Sequence, residues 1–281
     1  KSPALDLPER HAEWGLEAAE LCARLGALRG KRLGFDIEGY PTTGMTDCSF
    51  ADSPTHALWV PFRRVDGSPW WSPSDAEQIM AAVTNLLQDE GTPKVMHNAL
   101  YELFALKWGH GIELRGIGGD TMLLWHEAYC EMDKALEVVA SIVGRQPYWK
   151  FGRHAQTEEE RARYNCIDSM VTLEVEQALL GGGHLTPGQL AHYQHRLALL
   201  APTAWQMARG FRFDQEARAQ RVAELRRNVY ALQGELDEAA GVVAPALADV
   251  VAAVCNKNKV KLVAGWSDVA TYANKKWREE A

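Results

Sequence analysis

The segment RLGFDIEG, residues 32–39, does most to limit what this chain can become. It reads as an apolar strand whose end carries two carboxylates. Alternate side chains of a strand share a face, so Asp36 and Glu38 point the same way. Two like charges held that close repel each other. One reading leaves them as solvated residues at a strand end. The other places a divalent cation between them, which needs hard oxygen ligands converging on one point. The second reading requires more carboxylates elsewhere in the chain.

The 281 residues suffice for one large domain or two smaller ones, with 47% hydrophobic and 24% charged residues, as in a globular protein. A net charge of −7 argues against a nonspecific nucleic-acid coat but leaves room for a local basic groove. Cys22, Cys48, Cys130, Cys166 and Cys255 lack CxxC spacing and are expected to be reduced and buried, in a cytoplasmic protein. No apolar run approaches the roughly 18 residues of a membrane-spanning helix, so no membrane partner is expected. The start KSPALDLPER has no apolar signal region and no initiator Met, and is read either as the interior of a longer gene product or as an artificially cut start.

Along the chain, residues 10–28 show helical periodicity, followed by the first strand. MTDCSFAD (45–52) and THALWVPFR (55–63) read as a hairpin around the turn signal DSP. A helix follows over 72–88, with Ser74 and Glu77 as a capping box. KVMHN (94–98) is a short strand running into the helix ALYELFALKWG, and IELRGIGGD (112–120) is a further strand and turn. Two helices follow, DTMLLWHEAYC and DKALEVVASIVG, then a basic, aromatic loop at 146–156. A long helix starts at Thr157, boxed with Glu160. GGGHLTPG (181–188) breaks the pattern, so domains are expected at 1–183 and 184–281, the second helical throughout, including 224–241 and 267–280.

The missing carboxylates lie on these helices. Asn98 and Glu102 are four residues apart, hence on one helix face, and so are Tyr164 and Asp168. Asn98 opens its helix and is expected to cap it. Asp120 is read as the cap of the next helix rather than a further ligand. Asp133 is expected at the surface, and His97 and His126 in or near the core. The nine histidines show no HxxxH spacing for zinc, and no nucleophile-elbow motif accompanies the serines.

The set FDIEG, HNALYELFAL and YNCIDSMVT, in that order, resembles the three motifs of the DEDD superfamily of 3′→5′ exonucleases, tyrosine branch. It is most similar to the proofreading domain of family A DNA polymerases, of the DNA polymerase I and bacteriophage type. The stretches DTMLLWH, KALEVVASIV and PYWK also look like phage-type members, and the resemblance covers about residues 25–180. Residues 195–220 are similar to the link between such a domain and a polymerase thumb.

The resemblance implies an α/β ribonuclease H-like exonuclease fold, with a mixed five-stranded sheet, flanking helices and a mostly helical C-terminal region. It implies two Mg²⁺ or Mn²⁺ ions held by Asp36, Glu38, Glu102 and Asp168, with Glu102 acting through water and Tyr164 orienting the attacking water. A phenol, ordinarily titrating at about 10, is a poor base at neutral pH, which fits orientation. The implied substrate is a single-stranded or frayed 3′ end of DNA, and the implied partner a DNA polymerase domain or subunit in a bacterial host. Asn98, Tyr148, Lys150 and Arg153 are candidates for nucleic-acid contact, the last three on the 146–156 loop. The chain departs from the family at Glu102, where Asp is usual. No palm or finger motif follows residue 220, so polymerase activity is not expected. The alternatives are an RNA-trimming, ribonuclease D-like exonuclease and a catalytically degenerate scaffold of a polymerase.

Overall fold

A computed structural model of the chain describes residues 7–40 and 44–240. Its elements are β1 (His11–Glu13), α1 (Ala18–Ala27), β2 (Leu33–Tyr40), β3 (Gly44–Ser53), β4 (His56–Pro61), α2 (Pro73–Leu87), β5 (Lys94–Met96), α3 (Ala99–His110), β6 (Ile117–Asp120), α4 (Thr121–Ala128), α5 (Leu136–Val143), a 3-10 turn (Lys150–His154), α6 (Glu158–Gly181), α7 (Pro187–Ala198), α8 (Leu200–Arg209) and α9 (Gln215–Ala240).

The strands form one mixed sheet in the order β1-β4-β3-β2-β5-β6. β2, β3 and β4 are an antiparallel meander, with Asp36 opposite Ser49 and Glu38 opposite Asp47. β5 runs parallel to β2, and β6 parallel to β5. The α/β class, the hairpin and the helical C-terminal region are as expected, but the sheet has six strands, not five. The addition is β1, which pairs in parallel with β4 and lies inside the stretch read as one helix over 10–28. Three residues are too few to show an alternating pattern, and the pairing partner is distant in sequence. The strand expected over 112–120 is confined to Ile117–Asp120.

Two local signals resolve differently from each other. α6 opens on the expected Thr157–Glu160 capping box. α2 starts two residues earlier than its expected box, on Ser72, whose hydroxyl accepts the Asp75 N–H at 3.2 Å. Pro73 explains the choice, since a proline with its fixed φ and no N–H suits the first helical position.

α6 lies across β2, β3 and β4, and Gly34 allows its close approach. A Cβ at Gly34 would run into the Ser169 carbonyl oxygen and sit 3.0 Å from Leu173 Cγ. Ser49 Oγ stands 2.9 Å from both Ser169 Oγ and the Asn165 carbonyl. Gly34, Asp36 and Glu38 share this face by strand alternation. On the opposite face Phe35 stacks on Phe50, centroids 4.9 Å apart, in the core. The parallel strands β2, β5 and β6 end at one edge, where α3 and α4 begin. Open α/β sheets place their sites at such edges.

The chain divides into two compact units between Phe211 and Arg212. In the first, α7 packs on α4 and β6, and α8 on α3, so this unit runs through the turn at 183/184. In the second, α9 is a single 26-residue helix. The expected helix at 267–280 and Cys255 lie outside the described residues. The other four cysteines are free thiols. Cys48 and Cys166 are buried as expected, but Cys22 is partly exposed and Cys130 exposed. Cys130 falls in the loop after α4, away from the helix face that packs inward.

Candidate active site

β2 and α6 bring three of the expected residues together. One carboxylate oxygen each of Asp36, Glu38 and Asp168 lies within 4.8 Å of the others. A bulge between Glu38 and Gly39 bends the strand just past the pair. Gly39 takes φ 116°, and a Cβ there would press on Gly44 and sit 3.1 Å from Thr46 N, so the bend needs glycine. Tyr101 of α3 donates its hydroxyl to the Gly39 carbonyl, and the Met45 N–H is donated to His110 Nε2 at 3.0 Å, tying the hairpin end to α3.

Two of the three carboxylates are held by hydrogen-bond donors. Asn165 Nδ2 donates to Asp36 Oδ2 at 2.7 Å. Trp149 Nε1 and Lys150 Nζ both donate to Asp168 Oδ1 at 2.7 Å. Tyr164, one turn before Asp168 on α6, has its hydroxyl 3.4 Å from Lys150 Nζ. Opposite Glu38, the fully buried Asp47 accepts from Trp59 Nε1 at 2.9 Å and pairs with Arg161. Glu38, Thr46, Gly152, Arg161 and Tyr164 help line a cavity of about 250 Å³ beside the carboxylates.

These surroundings raise every proton affinity in the cluster. Asp36 is pushed well above the carboxylate range by burial, then by Asp168, Glu38 and Glu102. Glu38 is raised to about 8 by burial and by the charges of Asp47 and Asp168. Asp168 is raised by burial against the opposing pull of Lys150, Trp149 and Tyr164. Crowded acids in a dry site take up protons unless cations replace them.

Glu102 stands beside this group and not in it. Its side chain is on the first turn of α3, 3% exposed, and Oε2 is buried with no hydrogen-bond partner. Burial raises its proton affinity far above the usual range, with Asp120 and Glu38 adding to it. Asn98 does not cap α3 with its side chain as expected. It turns the chain at φ 71°, a conformation asparagine tolerates. Asp120 does the capping for two helices at once. Its carboxylate accepts the N–H groups of Asn98 and Ala99 at 3.3 and 2.9 Å, and of Met122 and Leu123 at 2.9 and 3.1 Å. His97 bridges Thr121 and the Lys134 carbonyl at 2.8 Å each, and burial lowers its pKa to about 4, as befits a core histidine.

The 146–156 loop splits its candidates. Tyr148 is 56% exposed and packs edge-on against Phe151, which is 80% exposed. Lys150 instead points inward, onto Asp168. The Arg153 side chain lies outside the described residues. Trp149, an aromatic of this expected strand-binding loop, instead turns inward onto Asp168, and Asn165 and Phe151 are not singled out by the sequence reading. Asn165 precedes Asp168 by three positions and so shares its helix face, which was the available signal.

The donor set is all oxygen, and Glu102 Oε2 is an orphaned buried atom, so these residues fit a divalent cation. Among the described residues no helix is long and apolar enough to cross a membrane.

No protein-family model matches the chain, and no curated protein matches it. Solved structures share its fold. Trypanosoma brucei RNase D in complex with RNA U12 matches with a TM-score of 0.52 at 15% identity, over 70% of this chain and 70% of that one. A structure described as the apo form of a nuclease matches with a TM-score of 0.51 at 14% identity, over 72% and 93%. The POL domain of Pol1 from M. smegmatis, with DNA primer-template and dNTP, gives a TM-score of 0.49 at 21% identity, and the match covers 69% of this chain but 31% of that one.

Proposed function

We propose that this chain is a metal-dependent 3′→5′ exonuclease acting on the 3′ end of DNA and proofreading for a DNA polymerase. The observation that carries the proposal is the convergence of Asp36, Glu38 and Asp168, with Tyr164 one helical turn away. These three carboxylates, with Glu102 behind them, would hold two Mg²⁺ or Mn²⁺ ions. When bound, such ions act as Lewis acids on the oxygens of a phosphodiester. The chain's own residues do the rest. Asn165 fixes the rotamer of Asp36, and Trp149 that of Asp168. Tyr164 orients the attacking water through its hydroxyl. Tyr148 and Phe151 offer an exposed aromatic surface on which unpaired bases can stack. The products are nucleoside 5′-monophosphates.

A second reading keeps the same site and changes the strand. The likeness to RNase D bound to RNA supports an RNA-trimming exonuclease equally well. Asp36→Ala tests the site under either reading. Hydrolysis of single-stranded DNA and RNA in Mg²⁺ is abolished, while circular dichroism stays native. Near-native activity in the variant would contradict the assignment.

A further inference from the structure

Among the described candidates for strand contact, Lys150 faces the carboxylates. Its Nζ lies 2.7 Å from Asp168 Oδ1 and 3.4 Å from Tyr164 Oη. It also sits over the Trp149 and Tyr164 rings, 5.2 Å from each centroid. The side chains of the pair are 13% and 4% exposed. The 3-10 turn that carries Lys150 is seated on Tyr164, for a Cβ at Gly152 would come within 2.9 Å of that ring. The cations that the described residues set beside this acidic group are Lys150 and Arg161, and Arg161 is taken up by Asp47 and the Arg63 carbonyl at 3.0 Å.

The geometry points to Lys150 as a built-in counter-cation of the site, which neutralises Asp168 while the site is metal-free and competes with a divalent ion for it. This rests on the reading of the carboxylates as a metal site. A divalent ion on Asp168 shares the carboxylate with the ammonium, and the two positive charges repel across a poorly screened gap. Lys150 acts on the whole group, since its charge opposes the upward shifts of Asp36, Glu38 and Asp168. The site would then be stable when empty and load only when the ion concentration overcomes the lysine.

The test is equilibrium Mn²⁺ binding at pH 8.5, followed by electron paramagnetic resonance, on the full chain and its Lys150→Met, Lys150→Gln and Lys150→Arg forms. Both neutral forms should bind Mn²⁺ about tenfold more tightly or better, the scale of one charge-assisted hydrogen bond, while Lys150→Arg stays near wild type. Wild-type binding that is equal or tighter than in both neutral forms overturns the inference and leaves the metal site standing. If no form binds Mn²⁺ at millimolar concentration, the metal site fails and the inference with it. Binding by the neutral forms alone would be the strongest support. Two neutral variants guard against one that fails to fold.

Discussion

Glutamine at position 102 separates the charge of Glu102 from its shape. The side chain is 3% exposed and Oε2 has no hydrogen-bond partner, so part of the buried carboxyl is left unsatisfied in the metal-free protein. Its proton affinity is raised well above the ordinary glutamate value by burial, so the folded chain keeps the proton to higher pH than the unfolded chain does. That difference opposes folding above the ordinary glutamate pKa and vanishes below it. Glu102→Gln removes the difference. The variant's melting temperature in chelator should therefore exceed wild type at pH 7 and equal it near pH 4. Activity should move the other way. A lost charge-assisted contact in the transition state is worth roughly 1.5–3 kcal/mol, or about ten- to a hundredfold in rate. Glu102→Asp keeps the charge and should keep or improve the rate. Rates for the three proteins on end-labelled single strands at saturating Mn²⁺ decide the matter. Equal and substantial rates for Glu102→Gln and wild type would remove Glu102 from the site and leave three working carboxylates.

Gly34→Ala should destabilise the fold by about 1–3 kcal/mol in urea titration, because its Cβ would press on Ser169 and Leu173 of α6; a variant as stable as wild type would contradict the close packing of α6 on β2. Arg161→Met leaves the fully buried Asp47 without its ion partner, for an expected loss of about 3–5 kcal/mol, and Asp47→Asn in the same chain should recover part of it. Metal-free stability should fall between about pH 6.5 and 8, since Glu38, raised to about 8, keeps its proton when folded and loses it when unfolded. His97, lowered to about 4, acts below this window, and Lys94, lowered to about 8, acts above it, both in the opposite sense. Glu38 alone accounts for up to about 2 kcal/mol of the fall, at 1.36 kcal/mol per pH unit for one proton, and Asp36 and Glu102, also raised, act in the same sense; excess Mg²⁺ should abolish the fall, and a rise in melting temperature across this window would refute the reading.

The carboxylates were legible because their geometry is local. A two-residue period sets Asp36 beside Glu38, and helical spacing sets Tyr164 above Asp168, whatever the rest of the chain does. The Thr157–Glu160 cap was legible for the same reason. Features built from distant parts were not. β1 exists only because β4 offers it an edge. Asp120 was recognisable as one helix cap, but its second helix is brought to it by the β5–β6 pairing. Lys150 reads as a surface cation in sequence, and it turns inward because its 3-10 turn docks on Tyr164. At Ser72 and Ser74 two capping signals competed within three residues, and Pro73 decided between them.

The proposed activity has these carboxylates cutting phosphodiesters one at a time from a 3′ end. Single-stranded DNA and RNA, each labelled at either the 3′ or the 5′ end, test it directly when incubated with the protein in Mg²⁺ or Mn²⁺ and in chelator. Immediate release of labelled mononucleotide from the 3′-labelled strand is expected. The 5′-labelled strand should shorten in a ladder, and neither should change in chelator. Internal cuts, release from the 5′ end or no hydrolysis with either metal would contradict it.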